Sequence, residues 1–548
     1  MSGPSSPSRL SLTLQGYDQV IALSQGNINA TLKYNFKVKP ALCNFDVVFP
    51  ERGFGLKGLL GAPTVALIDK EDADQALFYL NFDSGKYFWT EFPKQGGETQ
   101  LDDDGLPVLP QPKRETLSVA GWSLAFEVDF SVKKASTVPD EILKQINDPG
   151  IYSVSQLMID FGTADILNFS WEHSTTSDMP KGKEAGIRAD IERSITHYRN
   201  DVLLQKGGSH NILCYTVKAD DPGIKKREEV LKAVTQDAPS FPPTSIRLQT
   251  INYRPQGDAA QVSVNHHHNA FLLTEMTQFR EMPRKDLQWS GDWFYDSIGG
   301  TMVMSRDIFL EKFLLDKVKP INEANLSLAN SMVNSYMRNE PWEDWCFEGA
   351  QPKVEQLNFV SVDNSLKKIY KCALSRTVSG EVQKAGFFRT TETWRIDYTA
   401  DITTTVVPKV GEGKVSVESV VIIKTIRSGN VLSISTTWTA VMDLRAAVKG
   451  AGLDVTVNTS GGPNVQVDFT GANPRGLDME AEKRGLRDFW SRILNSLSWD
   501  EIAQKIQKPL NGQGRFVFPG GGTFEMKDVI FNNSGDLLIG LTFIERRL

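Results

Sequence analysis

The amino-acid sequence predicts an α+β fold in which a few long helices pack on antiparallel sheets. Several segments alternate strictly between apolar and polar residues, as a strand does when one face is buried and the other meets solvent. Other segments repeat apolar residues with the spacing of an amphipathic helix. One-sided alternation is typical of antiparallel sheets and not of the wholly apolar strands of a doubly wound fold.

The chain begins with the Ser/Pro-rich segment MSGPSSPSRL, and we expect residues 1–10 to form a disordered tail. This start lacks the basic-then-apolar pattern of a signal peptide. No run of about eighteen apolar residues, the length that crosses a bilayer, occurs in the sequence. A cytoplasmic location is therefore expected.

The stretch GYDQVIALSQGNINATLKY, residues 16–34, joins an apolar strand to an amide-rich helix. Ser24 stands at the junction and is a residue type that caps helices. Ile28 and Leu32 form a narrow apolar stripe on the helix that follows. The amide side chains are expected on the flanks and the solvent side of that helix: Gln25, Asn27 and Asn29.

Four further segments predict strands with one dry face. They are WSLAFEVDFSV, WRIDYTADIT, VLSISTTWTAVM and LLIGLTF. The residues expected on their buried faces are Trp122, Leu124, Phe126, Val128, Phe130 and Val132; Trp394, Ile396, Tyr398, Ala400 and Ile402; Leu432, Ile434, Trp438, Ala440 and Met442; and Leu537, Ile539, Leu541 and Phe543.

Helical stripes begin near Ile187 and Ser305, and another occupies residues 478–497. Ser498 followed by Glu501 forms a capping box that predicts a last helix. The apolar members of these stripes are Ile191, Ile195, Tyr198 and Val202; Phe309, Phe313, Leu314 and Val318; Leu486, Phe489, Trp490, Ile493 and Leu497; and Ile502 and Ile506.

The opening stretch has an echo later in the chain. VIALSQGNINATL can be laid on TMVMSRDIFLEKFL so that Ser24 meets Ser305. Both segments consist of an apolar strand end, a serine able to cap, and an amphipathic helix. An internal duplication is the hypothesis, and it divides the chain into two modules at residues 11–290 and 291–548.

Composition excludes some functions. The 548 residues carry a formal charge of −7, which argues against a general nucleic-acid-binding protein because phosphate neutralisation needs a basic face. The four cysteines lie far apart without a C-x-x-C pair, so neither a disulfide framework nor a zinc site is expected: Cys43, Cys214, Cys346 and Cys372.

The segment VNHHHNAF is the strongest candidate for a polar site. On a strand, His266 and His268 would share a face with Val262 and Val264 and so point inward. Two ligands at this spacing do not complete a metal site, and no third ligand is apparent, so we predict no metal and no cofactor.

Other motifs favour structural explanations. FVFPGGGTF lacks the lysine of a phosphate loop, and DDDG lacks the distal glutamate of a calcium loop. His210 and Cys214 in HNILC are too far apart on a strand for contact between a nucleophile and its base. The aromatic residues of NEPWEDWCFEG fit either a ligand or membrane lip or, as we favour, a half-buried turn.

Three blocks carry a family resemblance: YDQVIALSQGNINATL, GIYSVSQLMIDFGTADI and GGTMVMSRDIFLEKFLLDKV. Together with the closing GRFVFPGGGTFEMKDVIFNNSGDLLIGLTF they resemble the tubular lipid-binding (TULIP) superfamily. The nearest likeness is to the OrfX-type accessory proteins of clostridial neurotoxin clusters and their bacterial and fungal relatives. The resemblance implies long helices wrapped by highly curved antiparallel sheets, an apolar groove that holds a lipid in several branches, and no catalytic residues.

The leading hypothesis is a non-enzymatic protein that binds a lipid or another elongated apolar ligand between helix and curved sheet. The residues expected to line that groove are Phe126, Val128, Phe130, Trp394, Ile396, Tyr398, Ile434 and Trp438. A peripheral membrane contact is compatible with this function.

Two alternatives stay open. Aromatic side chains could fill the tube, and the protein would then be a scaffold or toxin-cluster-like accessory protein with a protein partner or a homo-oligomeric state. An enzyme could instead use the apolar chamber with His266 and His268 as acid–base groups, because an unperturbed histidine titrates near pH ~6.5.

Overall fold

The structure is a computed structural model of the chain. It describes residues 3–68, 75–91, 112–135, 152–160, 169–177, 179–204, 211–219, 243–254, 267–295, 298–337, 357–361, 366–384, 390–427, 430–447, 453–459, 463–470, 499–510, 516–517 and 524–543, with the shorter pieces 103, 140, 223, 226–229, 480–481, 484–485, 487–488 and 491–492.

Helices and strands are numbered along the chain. The α-helices are α1 (Pro7–Leu10), α2 (Gln25–Lys37), α3 (Glu184–Tyr198), α4 (Leu315–Met337) and α5 (Trp499–Leu510). A π-helical turn, Arg199–Leu203, extends α3, and another, Asp307–Leu314, leads into α4. Short 3₁₀ turns occupy Pro40–Cys43 and Pro50–Arg52.

A six-stranded central sheet joins both halves of the chain. Its strands, in spatial order, are β11 (Pro243–Ile251), β12 (Ala270–Thr277), β1 (Gln19–Ser24), β13 (Gly300–Met304), β23 (Leu537–Phe543) and β22 (Phe524–Phe531). Every neighbouring pair runs antiparallel. Three strands therefore come from each side of residue 290.

The register between β1 and β13 is symmetric about the pair formed by Ile21 and Met302. One step to either side, Val20 pairs with Val303 and Ala22 pairs with Thr301. The alignment of Ser24 with Ser305 equates Val20 with Thr301 and Ala22 with Val303. It therefore converts each of these two pairs into the other, as a local two-fold axis does. Any antiparallel strand pair has such an axis, so both the internal duplication and the division into modules at residues 290 and 291 stay predictions.

A second, ten-stranded sheet is formed mainly by strands of the N-terminal half. Its strands are β2 (Asn44–Phe49), β3 (Phe54–Leu60), β5 (Gln75–Glu91), β7 (Ser123–Lys134), β8 (Tyr152–Asp160), β10 (Ile212–Ala219) and β21 (Phe516–Val517); β4 (Thr64–Leu67) and β6 (Lys113–Ser118) pair with β5, and β9 (Phe169–Thr175) pairs with β7. The first half of β5 pairs with β4 and β7, and its second half pairs with β3 and β6. This change of partners turns the sheet.

A third, seven-stranded sheet belongs to the C-terminal half. Its strands are β14 (Val360–Ser361), β15 (Lys368–Lys384), β16 (Thr390–Lys409), β17 (Lys414–Arg427), β18 (Asn430–Ala446) and β19 (Leu453–Asn458), with β20 (Asn464–Thr470) on β18. The predicted α+β class with antiparallel sheets is confirmed. The helix predicted at residues 478–497 lies largely outside the described residues, apart from short helical pieces.

One continuous apolar core connects the three sheets. Helices α2 and α3 pack inside the second sheet, and α4 and α5 inside the third, where their apolar stripes are buried. A smaller core lies on the opposite face of the central sheet and is built around Val20, Leu272 and Val303. The central sheet is therefore covered on both faces.

The N-terminal segment is ordered from Gly3 onward, so the predicted disorder of residues 1–10 is wrong for most of that stretch. Residues 7–10 form α1, and Arg9 is fully buried against the second face of the central sheet. Asn532 Nδ2 donates to Leu12 O over 2.8 Å. The segment is held because it closes the small core, which would otherwise meet solvent.

The amides of α2 do not all face solvent, which corrects a second expectation. Gln25 is buried, and its Oε1 accepts a hydrogen bond from Leu67 N over 2.8 Å. Asn29 pairs with the backbone of Val65 in both directions, at 2.7 and 3.1 Å. These side chains form hydrogen bonds with backbone groups on the edge of β4 that faces the helix. Buried backbone N–H and C=O groups need such partners.

Candidate functional site

The predicted groove residues of the N-terminal half lie on the inner face of β7 and are packed by other rings. Phe126 and Phe130 are 4% and 1% exposed, and Val128 between them is buried as well. The ring of Phe126 lies 5.3 Å from that of Phe78, and the ring of Phe130 lies 4.3 Å from that of Phe271 on β12. Each of these two rings thus packs against another aromatic ring of the core.

The groove residues of the C-terminal half lie on the inner faces of β16 and β18. The four whose side chains are described are all buried: Ile396, Tyr398, Ile434 and Trp438. Trp394 belongs to β16, but its side chain lies outside the described part. The indole of Trp438 packs edge-on against Trp499 of α5, with 5.8 Å between ring centroids.

The two sets belong to different sheets and to the same continuous core. The C-terminal set packs against helices α4 and α5, whereas Phe130 of the N-terminal set packs against Phe271 of the central sheet. That these residues line a ligand groove stays a prediction.

The histidine segment is a turn and not a strand at the residues described. His267 and His268 precede β12, which begins at Ala270, so the inward strand geometry expected for His268 is wrong. His268 is half-buried, with its ring 5.5 Å from Tyr253 and 6.1 Å from Phe294. His266 lies outside the described residues.

The remaining motifs contribute little to a site. Cys214 is buried, and that burial raises the pKa of its thiol, while His210 lies outside the described residues. The DDDG and NEPWEDWCFEG segments and the glycines of FVFPGGGTF also fall outside them, apart from Asp103. Within the described ranges, no three His, Cys, Asp or Glu side chains converge as a metal site would require.

An amphipathic cleft of about 640 Å³ lies between β7 and β11. Its apolar wall consists of Phe130 and Val132 on one strand and of Ile246 and Leu248 on the other. Its polar rim consists of Ser131, Arg247, Arg284 and Asp286. Phe130 is thus the predicted groove residue that borders an open space.

Of the two arginines on the rim of the amphipathic cleft, one is already paired and one is not. Arg247 Nη1 donates to Asp286 Oδ1 over 3.0 Å and to the hydroxyl of Tyr17 over 3.1 Å. Arg284 is exposed and makes no hydrogen bond or ion pair with the described residues. The cleft therefore combines an apolar wall with one uncommitted positive charge.

Sequence reasoning missed this cleft, apart from Phe130, because its two walls are more than a hundred residues apart. The usable signal was the charged run PRKD at residues 283–286, which follows a strand that carries Arg247 between two apolar residues.

No known protein family and no curated protein matches the sequence. Among solved structures, P47 from Clostridium botulinum A2 is similar over 98% of this chain and 99% of its own, with 10% identity and a TM-score of 0.46. P47 of Clostridium botulinum E1 is similar over 96% of this chain and 99% of its own, with 11% identity and a TM-score of 0.46.

Lipopolysaccharide binding protein is similar over 97% of this chain and 100% of its own, with 11% identity and a TM-score of 0.36. These are likenesses over nearly the whole chain at low identity, and membership of the tubular lipid-binding superfamily stays a prediction. Nothing about ligand, partner or activity follows from matches at this level. None of the described helices has both the length and the apolar character needed to cross a bilayer.

Proposed function

We propose that the chain is a non-catalytic binding protein for a lipid or another molecule with an apolar portion and an anionic head, and that the amphipathic cleft holds it. The observation that supports this is the pairing of an apolar wall, formed by Phe130, Val132, Ile246 and Leu248, with the uncommitted guanidinium of Arg284.

The physical basis is the burial of methylene groups. Each CH₂ that leaves water contributes about 0.8 kcal/mol, so about ten buried CH₂ groups would correspond to micromolar binding before the cost of association. An anionic head would reach Arg284 at the exposed rim, where the charge stays hydrated and no desolvation penalty arises. Ligand sites of this volume commonly combine an apolar lining with a few polar groups.

Native mass spectrometry and lipid extraction of the purified protein test the proposal directly, and titration with cis-parinaric acid tests it without a prior guess at the natural ligand. Leu248→Glu should abolish the fluorescence response, and Arg284→Gln should weaken it. Val420→Glu, at a half-buried valine of β17 remote from the cleft, is the matched control and should leave binding unchanged. A ligand-free mass together with no response to the probe would remove the proposal.

A scaffold function is the second candidate, because the predicted groove residues that are described are packed by protein side chains. Phe126 and Trp438 each contact another aromatic ring, and both are nearly inaccessible to solvent. A filled tube would present only its outer surface to partners. Size-exclusion chromatography with light scattering should then show a stable homo- or hetero-oligomer, and the lipid extract should be empty. A cytoplasmic location remains a prediction in either case.

A further inference from the structure

A second cavity, of about 960 Å³, lies where the two halves of the chain meet. Its walls come from five separate segments: residues 13–17, residues 276–281, residues 305–307, Leu366 and residues 533–536. Apolar side chains contribute little beyond Leu14, Met276 and Leu366. We call this space the polar cavity.

Arg306 is the group in the polar cavity whose bonding is incomplete. Its Nε is buried and forms no hydrogen bond. The nearest carboxylate oxygens are Glu311 Oε1 at 3.5 Å and Asp307 Oδ1 at 3.9 Å, and the same Glu311 oxygen is already paired with Lys368. Because Nε itself is buried beside these carboxylates, an anion that enters the cavity would pair with the terminal Nη groups of this partly exposed side chain.

The other arginine of the polar cavity, Arg280, and the carboxylate of Asp536 already have partners. Arg280 donates through Nε to Asp18 Oδ2 over 3.1 Å, and Asp18 is fully buried. The backbone N–H of Arg306 donates to Asp536 Oδ1 over 2.8 Å. An anion in the cavity would therefore be recognised by the side chain of Arg306, and neither by Arg280 nor by the first turn of the helix.

Backbone strain concentrates around the same space. Gln15, which lines the cavity, has φ +48°, and Gln278 and Phe279, next to Arg280, have φ +56° and +57°. Of the described non-glycine residues with such a backbone, only Asp528 lies elsewhere. Residues held in sparsely populated conformations tend to cluster at ligand sites, because the surrounding structure fixes them there.

We propose that the polar cavity binds a small water-soluble molecule that carries a phosphate or carboxylate group, with Arg306 receiving that group. Glu281 and Asp307 also line the cavity and supply acceptors for hydroxyl groups on the same molecule. A polar site at the junction of two halves is separate from lipid binding, so it does not depend on the function proposed above.

Calorimetric titration of the intact protein with glycerol 3-phosphate, and with glycerol as the uncharged match, tests this proposal. Saturable one-to-one binding is expected for glycerol 3-phosphate and none for glycerol. Arg306→Gln should weaken binding about tenfold or more, since it removes a charge-assisted pair of hydrogen bonds. Arg306→Lys keeps the charge but cannot donate two parallel hydrogen bonds, so it should give an intermediate loss of affinity. Arg52→Gln, at an exposed arginine outside the lining of both cavities, is the control and should bind normally.

Three outcomes would overturn the proposal. The first is no heat with glycerol 3-phosphate, inorganic phosphate or acetate. The second is binding that Arg306→Gln and Arg306→Lys leave unchanged. The third is binding only to vesicles that contain phosphatidic acid, which would assign the anion to a lipid headgroup. Because the wild-type titration decides the first and third outcomes, a variant that fails to fold does not leave the proposal untested.

Discussion

The indole Nε1 of Trp438 donates a hydrogen bond to Asn325 Oδ1 over 3.3 Å and so ties β18 to helix α4 across the core. The same amide donates through Nδ2 to the hydroxyls of Thr404, at 3.2 Å, and of Ser419, at 3.0 Å. All four residues are buried. A helix fastened to three strands by one side chain has little freedom to move away from the sheet and admit a ligand.

Asn325→Ala should lower the free energy of unfolding by about 1–3 kcal/mol, because it leaves three buried polar groups short of a partner. Asn464→Ala, at an exposed asparagine of β20, is the matched control and should change stability by less than about 0.5 kcal/mol. Urea unfolding followed by tryptophan fluorescence measures both. Equal stability of the two variants would show that α4 is not held to the sheet in this way.

Gly413 marks the point where the third sheet meets the central sheet. A Cβ on Gly413 would lie 2.4 Å from Leu444 O and 2.7 Å from Val529 O, which are backbone atoms of β18 and β22. Gly413→Ala should therefore cost about 1–3 kcal/mol through overpacking. Gly186→Ala, in α3 where nothing lies within 4 Å of the added methyl, should raise stability by about 0.5–1 kcal/mol. Thermal unfolding of both variants should shift in opposite directions; a shared direction would contradict this contact.

Local sequence patterns predicted the fold correctly for elements whose buried face can be recognised from the spacing of their own apolar residues. Alternation identified β7 with Phe126 and Phe130 buried, and Ser24 was predicted as the cap that its Oγ provides to Asn27 N over 3.1 Å. The role of Asn29 was missed because its partner, β4, is a short strand more than thirty residues away that the pattern did not reveal. A side chain that pairs with distant backbone has no local signature.

The candidate site was less predictable for the same reason. The amphipathic cleft needs β7 and β11 to lie face to face, and the polar cavity needs five separate segments to converge. Apolar alternation predicts that Phe130 is buried. It does not predict whether the side chain packs against another aromatic ring or borders a cavity. The tail was misjudged because a Ser/Pro-rich composition says nothing about Arg9 and Leu12, which close a core built by later residues.

The N-terminal segment supplies a prediction of its own. Arg9 is fully buried with Nε and Nη2 unpaired, and burial lowers its pKa to about 10. Arg9→Met should lower the free energy of unfolding by about 1–3 kcal/mol, because it removes the hydrogen bond from Nη1 to Trp293 O and leaves the buried Asp292 without a nearby cation. Leu12→Ala should lower the free energy of unfolding by about 2–5 kcal/mol by opening a cavity. Chemical denaturation measures both, and a silent Leu12→Ala would show that the segment does not pack as described.

The carboxyl group of Asp536 gives the stability a specific dependence on pH. Burial raises its pKa above the ordinary value of 3.8, against the hydrogen bond from Arg306 N. The folded state therefore binds more protons than the unfolded state between 3.8 and the raised pKa, and stability falls as pH rises through that window. Asp536→Asn lacks this proton, so the stability of the wild type relative to the variant should decline across the window and level off above it. Urea midpoints of both proteins in matched buffers measure the difference, with Asp46→Asn, an exposed partner of Lys57, as the control for lost surface charge. If the stability of the wild type relative to Asp536→Asn stays constant or increases with pH, the pKa of Asp536 is not raised in the folded state.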